Sequence, residues 1–138
     1  MRDTTYQINI DSDTTYSYMV VQYHRNTSNP KKSLWTVTEQ EEIECFKRAI
    51  IELWTYEQFA WGLHIINGQI MPLGINTDNE VLKVAKFVDN NTHWHGYPAD
   101  YVRKIQDKPP SLVLTKWCEL KLITKSQVLK IKQQKCNL

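Results

Sequence analysis

The densest run of chemically able side chains is Thr92-His93-Trp94-His95-Gly96-Tyr97-Pro98. Imidazoles separated by one residue fall on the same side of an extended backbone, so His93 and His95 can approach one metal ion or one reacting group together. Asp100 is near enough in sequence to add a carboxylate oxygen, and the imidazoles can exchange protons near neutral pH. His93, His95 and Asp100 are therefore the catalytic candidates, with His93 and His95 the weak metal candidates. A zinc set needs three or four ligands at recognisable spacing, and the third one here has none, so no metal and no cofactor is assigned. Gly96 and Pro98 suggest a fixed, sharply turned loop without periodicity. On such a loop Trp94 and Tyr97 are either partner-binding rings, flanked by His93 and His95, or anchors packed on the core.

Other candidates have simpler readings. His64, on a strand, reads as hydrogen-bonded structure, and His24, beside Arg25 at a strand end, as exposed. Glu39, Glu41, Glu42 and Glu44 suit the start and the wet face of a helix. Asp11-Ser12-Asp13 lacks the glycine and bidentate glutamate of a calcium loop. Cys45, Cys118 and Cys136 are odd in number and far apart, which is neither a disulfide framework nor a zinc ribbon. Cys45 and Cys118 lie in apolar helical patterns; Cys136 reads as exposed. The four glycines, Gly62, Gly68, Gly74 and Gly96, are not spaced to cradle a phosphate, and no Walker loop, dinucleotide fingerprint or nucleophile elbow occurs.

The net charge of +2 conceals an asymmetry. Residues 103–138 carry nine basic side chains against Asp107 and Glu119, whereas both preceding segments are acidic on balance. Such a tail attracts polyanions or acidic protein surfaces, or else forms a solvated face. Two short helices joined by a tight turn at Lys121-Leu122-Ile123 superficially suit a helix-turn-helix, with Lys125, Ser126 and Gln127 near base edges and Lys130 and Lys132 near phosphates.

The elements that would position these groups follow from periodicity. Tyr6–Ile10 alternates as a half-buried strand, and Tyr16–Tyr23 is apolar on both faces, as in a central strand. Asn26 to Lys32 is a loop, and Ser33–Val37 a third strand. Thr38-Glu39-Gln40-Glu41 forms a capping box that opens a helix reaching about Tyr56. Asn67-Gly68 supplies the type I′ turn of a hairpin between Phe59 and Leu73, and Pro72 limits its second strand to an edge or an early end. Thr77-Asp78-Asn79-Glu80 reads as a second capping box, opening a helix with Val81, Val84, Ala85 and Val88, closed by Asn90-Asn91. A short helix from Ala99 to Ile105 precedes Pro109-Pro110. The tail is a helical hairpin with Leu112, Leu114 and Trp117 inward on one arm and Val128, Leu129 and Ile131 on the other, its second helix capped by Thr124.

With 41% hydrophobic residues the 138-residue chain reads as one domain, 1–138. Its class is α+β: a small antiparallel sheet of about five strands packed against helices, with a C-terminal helical hairpin. No apolar run suits a membrane span, and Met1-Arg2-Asp3-Thr4-Thr5 lacks the apolar stretch of a secretory signal, so the expected location is cytoplasmic. The leading functional expectation is a non-enzymatic protein-binding module, such as an inhibitor, immunity or accessory protein. Its partner is a protein with an acidic surface, met by the aromatic and histidine loop and the basic tail. The alternatives are a metal-assisted hydrolase or nuclease centred on His93 and His95, and a nucleic-acid-binding protein using Lys121, Lys125, Gln127, Lys130 and Lys132.

Overall fold

A computed structural model describes residues 3–27, 31–135 and 137–138. The expectations concerning Met1, Arg2, Cys136 and the middle of the 26–32 loop lie outside the described residues.

Two strands open the chain, β1 (Thr4–Asn9) and β2 (Thr15–Val20). Asp11 Oδ1 accepts from the Asp13 amide at 2.8 Å in the turn between them, which is a structural use of that acidic pair. A 3-10 turn at Gln22–His24 and the short β3 (Leu34–Trp35) follow. Helix α1 (Glu39–Ile51) begins with the expected capping box: the Glu41 amide donates to Thr38 Oγ1 at 3.1 Å, and the Thr38 amide donates to Glu41 Oε1 at 2.9 Å. The helix stops short of Tyr56 because Leu53 takes a left-handed φ of 59°. The chain then forms β4 (Thr55–Tyr56) and β5 (Phe59–Gly62), followed by the hairpin β6 (His64–Ile66) and β7 (Gln69–Met71). Asn67 and Gly68, at φ 52° and 77°, make its turn as expected.

From residue 74 to residue 98 the structure departs from the sequence reading. The second helix does not form; the segment is β8 (Gly74–Ile75), β9 (Val81–Leu82) and β10 (Ala85–Asn90). Asn76 is the reason. Its Oδ1 accepts from the amides of Asp78 and Glu80, at 3.0 and 2.9 Å, so Thr77–Glu80 closes a hairpin loop rather than a helix end. Asn91 and Thr92, at φ 52° and 75°, then turn the chain into β11 (His93–Pro98). The His-Trp-His run is therefore a strand, not a loop.

The main sheet has the order β1-β2-β11-β10-β5-β4, and β2 runs parallel to β11, with Ser17 opposite His93 and Tyr18 opposite Trp94. The sheet is mixed rather than purely antiparallel. β3, β8 and β9 form a second, three-stranded sheet. Helix α1 covers one face of the main sheet, where Phe46 lies 4.8 Å from Tyr18, 5.5 Å from Phe87 and 5.4 Å from Trp94 between ring centroids. Beneath α1 the fully buried Glu42 accepts from Arg25 Nη2 at 2.8 Å and from the Tyr18 hydroxyl. Burial raises its carboxyl above the usual range.

In place of the expected helix at 99–105 there is a turn and a 3-10 segment, Ile105–Asp107. Helices α2 (Ser111–Glu119) and α3 (Lys125–Lys132) form the expected hairpin, α3 with a Thr124–Gln127 capping box. Leu114, Trp117 and Ile131 face inward as expected, whereas Leu112 and Leu129 are 53% and 58% exposed; Val113 is buried instead. One apolar cluster extends from Ile8 to Ile131 and ties sheet, α1 and hairpin together. Among the described residues, no helix is long and apolar enough to cross a membrane.

Candidate functional site: a basic cleft on the sheet

Strand β11 alternates. Trp94, Gly96 and Pro98 turn into the α1 side, and His93, His95 and Tyr97 line up on the opposite face. Gly96 is needed for packing, since a Cβ there would come 2.2 Å from Phe87 Cδ1. On the opposite face Val88 lies across from His95, Lys86 across from Tyr97, and Trp61 of β5 across from Lys86. Of these, Val88, His95, Lys86 and Tyr97 form one wall of a cleft of about 450 Å³, a size common for ligand sites.

The segment after β11 folds back over that wall. Asp107 Oδ1 accepts from the Tyr97 hydroxyl at 2.7 Å and from Lys86 Nζ at 3.3 Å, while Lys86 also donates to the Gln106 carbonyl at 2.6 Å. Trp61 Nε1 donates to the Asp107 carbonyl at 3.0 Å, and the Lys86 ammonium stands 4.5 Å over the Phe59 ring. Lys86 and Asp107 are only 5% and 3% exposed, and mutual pairing is what makes both charges tolerable there. Burial, then Asp107, pushes the Tyr97 phenol up, so it stays a neutral donor.

Across the cleft, His24 stacks on Tyr97 with ring centroids 5.3 Å apart, and Tyr23 lies 4.5 Å from His24. His24 Nδ1 sits 2.9 Å from the Ser33 carbonyl, which only accepts, so Nδ1 carries the proton and Nε2 is left as an acceptor. Burial, aided by Lys32, His95 and Lys104, lowers His24 to about 4, and burial lowers His95 too. At neutral pH both are uncharged.

Among the described residues, the lining carries five cations, Lys31, Lys32, Lys86, Arg103 and Lys104, and two carboxylates, Asp100 and Asp107. Asp107 is committed to Lys86 and Tyr97. Asp100 Oδ2 accepts from Asn76 Nδ2 at 3.2 Å and lies 3.6 Å from Arg103 Nε, and Arg103 also binds Glu80 at 2.7 Å and Asp78. The internal pairs leave Lys32 and Lys104 at the cleft without a carboxylate partner among the described residues.

The sequence candidates are thus divided. His95, Tyr97 and Asp100 line the cleft; His93 shares their face but is exposed at the turn end of β11. Among the described residues, no group of three or more His, Cys, Asp or Glu side chains is placed to hold a metal ion. Trp94 is no surface ring: it is 8% exposed and packs on Phe46. His24, expected to be exposed, is buried. His64 lies 3.4 Å from Glu41 on the helix side. Lys121, Lys125, Lys130 and Lys132 are exposed on the tail, but the Gln127 side chain accepts from the Thr124 amide at 2.8 Å and so serves its own helix. Sequence reasoning missed Lys86, Asp107, His24, Lys32 and Lys104. The signal for Lys86 was the alternation of 85–90, visible only if that stretch is read as a strand.

No known protein family matches the chain, and neither does any curated protein or solved structure.

Proposed function

We propose that this protein is a non-enzymatic binding module that takes an acidic segment of a protein partner into the cleft. The observation that carries this reading is one concave site at which Lys32 and Lys104 have no carboxylate partner among the described residues, while Asp107 is held by Lys86 and Tyr97 and Asp100 by Asn76 and Arg103 through Oδ2. Lys32 and Lys104 supply attraction and orientation at the mouth. Tyr97 and the imidazoles of His24 and His95, neutral at pH 7, add hydrogen-bonding groups and flat surface further in.

A fluorescein-labelled oligoglutamate peptide, followed by fluorescence anisotropy across a salt series, tests it. The peptide binds the native chain, and Lys32→Glu together with Lys104→Glu weakens it by about tenfold or more while thermal unfolding is unchanged. The reading fails if the double variant binds as tightly as the native chain. It also fails if oligodeoxythymidine depends on these lysines and oligoglutamate does not bind.

A further inference from the structure

We propose that the outer edge of β1 is a self-association surface, where a second copy of this chain pairs its own β1 antiparallel about a two-fold axis. The main sheet ends on one side at β4, two residues long, and on the other at the six-residue β1, which pairs with β2 without a bulge. The ladder shows what β1 offers outward. The Ile10 amide donates to the Thr14 carbonyl at 3.0 Å, in line with the β1–β2 register, so Ile8, Tyr6 and Thr4 are the residues that exchange bonds with β2. The amides and carbonyls of Thr5, Gln7 and Asn9 therefore point away from the sheet. Ser17 Oγ donates to Gln7 Oε1 at 3.2 Å and Thr15 Oγ1 to Asn9 Oδ1 at 2.8 Å, as the closer, non-bonded backbone pairs allow.

No described strand lies beyond β1, and Thr4, Thr5, Tyr6, Gln7 and Asn9 are exposed. Soluble proteins blunt such an edge with lysine, proline, a bulge or extreme shortness. Residues 4–9 have none of these and carry no charge. The unpaired backbone calls for a strand, and the side chains favour a copy of β1. With Tyr6 on the axis, Thr5 lies opposite Gln7 of the second copy, and Asp3 opposite its Asn9, so no like charges meet. On the α1 side, Tyr6, 37% exposed, meets its own copy at a close pair, and Thr4 meets Ile8. Placing Gln7 on the axis instead would set Asp3 against Asp11. Residues 3–9 of each copy are fewer than the roughly 20–30 a side of a lasting complex, so pairing is reversible, with Kd on the order of 0.1 mM. The axis is perpendicular to the sheet, so both clefts face the same way. On the cleft reading given above, a partner with two acidic segments engages both at once.

The test is sedimentation equilibrium of the full-length chain, with amide spectra, from about 10 µM to about 1 mM. The mean mass rises toward that of a dimer and no further, and shifts grow at Thr5, Gln7 and Asn9. In a mixture of ¹³C-labelled and unlabelled chains, Thr4 Hα of one copy shows a nuclear Overhauser contact to Ile8 Hα of the other; along one strand these lie about 13 Å apart. Thr5→Lys with Gln7→Lys sets like charges opposite each other and weakens dimerisation about tenfold. Thr5→Lys with Gln7→Glu sets opposite charges there and tightens it about fivefold. Both positions are exposed, so the variants keep the fold, which the dispersion of the amide spectrum verifies. A monomer throughout the range overturns the proposal. So do growth beyond a dimer, shifts that spare β1, or an equal response of the two variants. Oligoglutamate takes no part in these measurements, so failure of the edge and failure of the cleft are read separately.

Discussion

The main sheet carries the same three-part device on each face, with different consequences. Under α1, Glu42 is held by Arg25 and the Tyr18 hydroxyl; beside the cleft, Asp107 is held by Lys86 and the Tyr97 hydroxyl. Both carboxylates are buried and both are paired with a cation and a phenol. The first trio is sealed between helix and strand, with Tyr18 fully buried against Phe46 and Phe87. In the second, Tyr97 is only half-buried, and its ring forms part of the wall on which His24 stacks. A paired buried carboxylate is therefore not a functional signal by itself. The surroundings decide whether it locks the core or furnishes a site.

The largest effect that separates the two belongs to Glu42. Glu42→Ala leaves the Arg25 guanidinium without its carboxylate and opens a void under α1, so urea unfolding detects a loss of about 3–5 kcal/mol. Oligoglutamate affinity, extrapolated to the folded fraction, stays as in the native chain. A change in that affinity would mean that the two faces are coupled.

Next comes pH. His24 is held at about 4, well below its unfolded value. The unfolded chain therefore takes up a proton that the folded one refuses. Stability contributed by the neutral ring is complete above the unfolded pKa and is lost as pH falls from about 6.5 to about 4, by up to roughly 3 kcal/mol. His95 titrates in the same direction. Thermal unfolding at pH 7, 5.5 and 4 measures the decline, and His24→Asn flattens it. With its folded pKa at about 4, His24 stays neutral in the cleft at pH 5.5, so stability falls between pH 7 and pH 5.5 while His24 adds no charge for oligoglutamate. Any gain in oligoglutamate affinity over that interval belongs to His95 and is abolished by His95→Asn.

The smallest effect compares two identical substitutions. Tyr18→Phe strands a buried carboxylate oxygen and costs about 1–3 kcal/mol by urea unfolding. Tyr97→Phe costs about 1 kcal/mol or less, because solvent in the cleft can replace the lost donor. Equal losses would show that the cleft trio is as dry as the one under α1.

The elements legible in the sequence are those fixed by local chemistry. The Thr38 box, the Thr124 cap and the Asn67-Gly68 turn each join residues at most three apart, and each formed as read. The Thr77–Glu80 stretch has the same letters as a box but follows Asn76, whose side chain captures the amides first. With that helix assumed, Val81, Val84, Ala85 and Val88 seemed to share one stripe, and the alternation carrying Lys86 and Val88 onto one face was hidden. The spacing of His93 and His95 puts both on one side of an extended backbone, but the lack of apolar periodicity around them reads as a loop and hides the strand 93–98. Their surroundings are not legible locally, because Lys86, Asp107, His24 and Lys32 arrive from distant segments and only tertiary packing brings them to His95.

The parallel contact of Ser17 and Tyr18 with His93 and Trp94 bears on how the chain reaches this state. The amino-terminal hairpin has no companion on its inner edge until the strand bearing the cleft histidines is available. Collapse must therefore bridge most of the polypeptide, a topology associated with slow folding. Until closure the inner edge of β2 remains unpaired, which makes the interval before β11 docks the period of greatest susceptibility to aggregation.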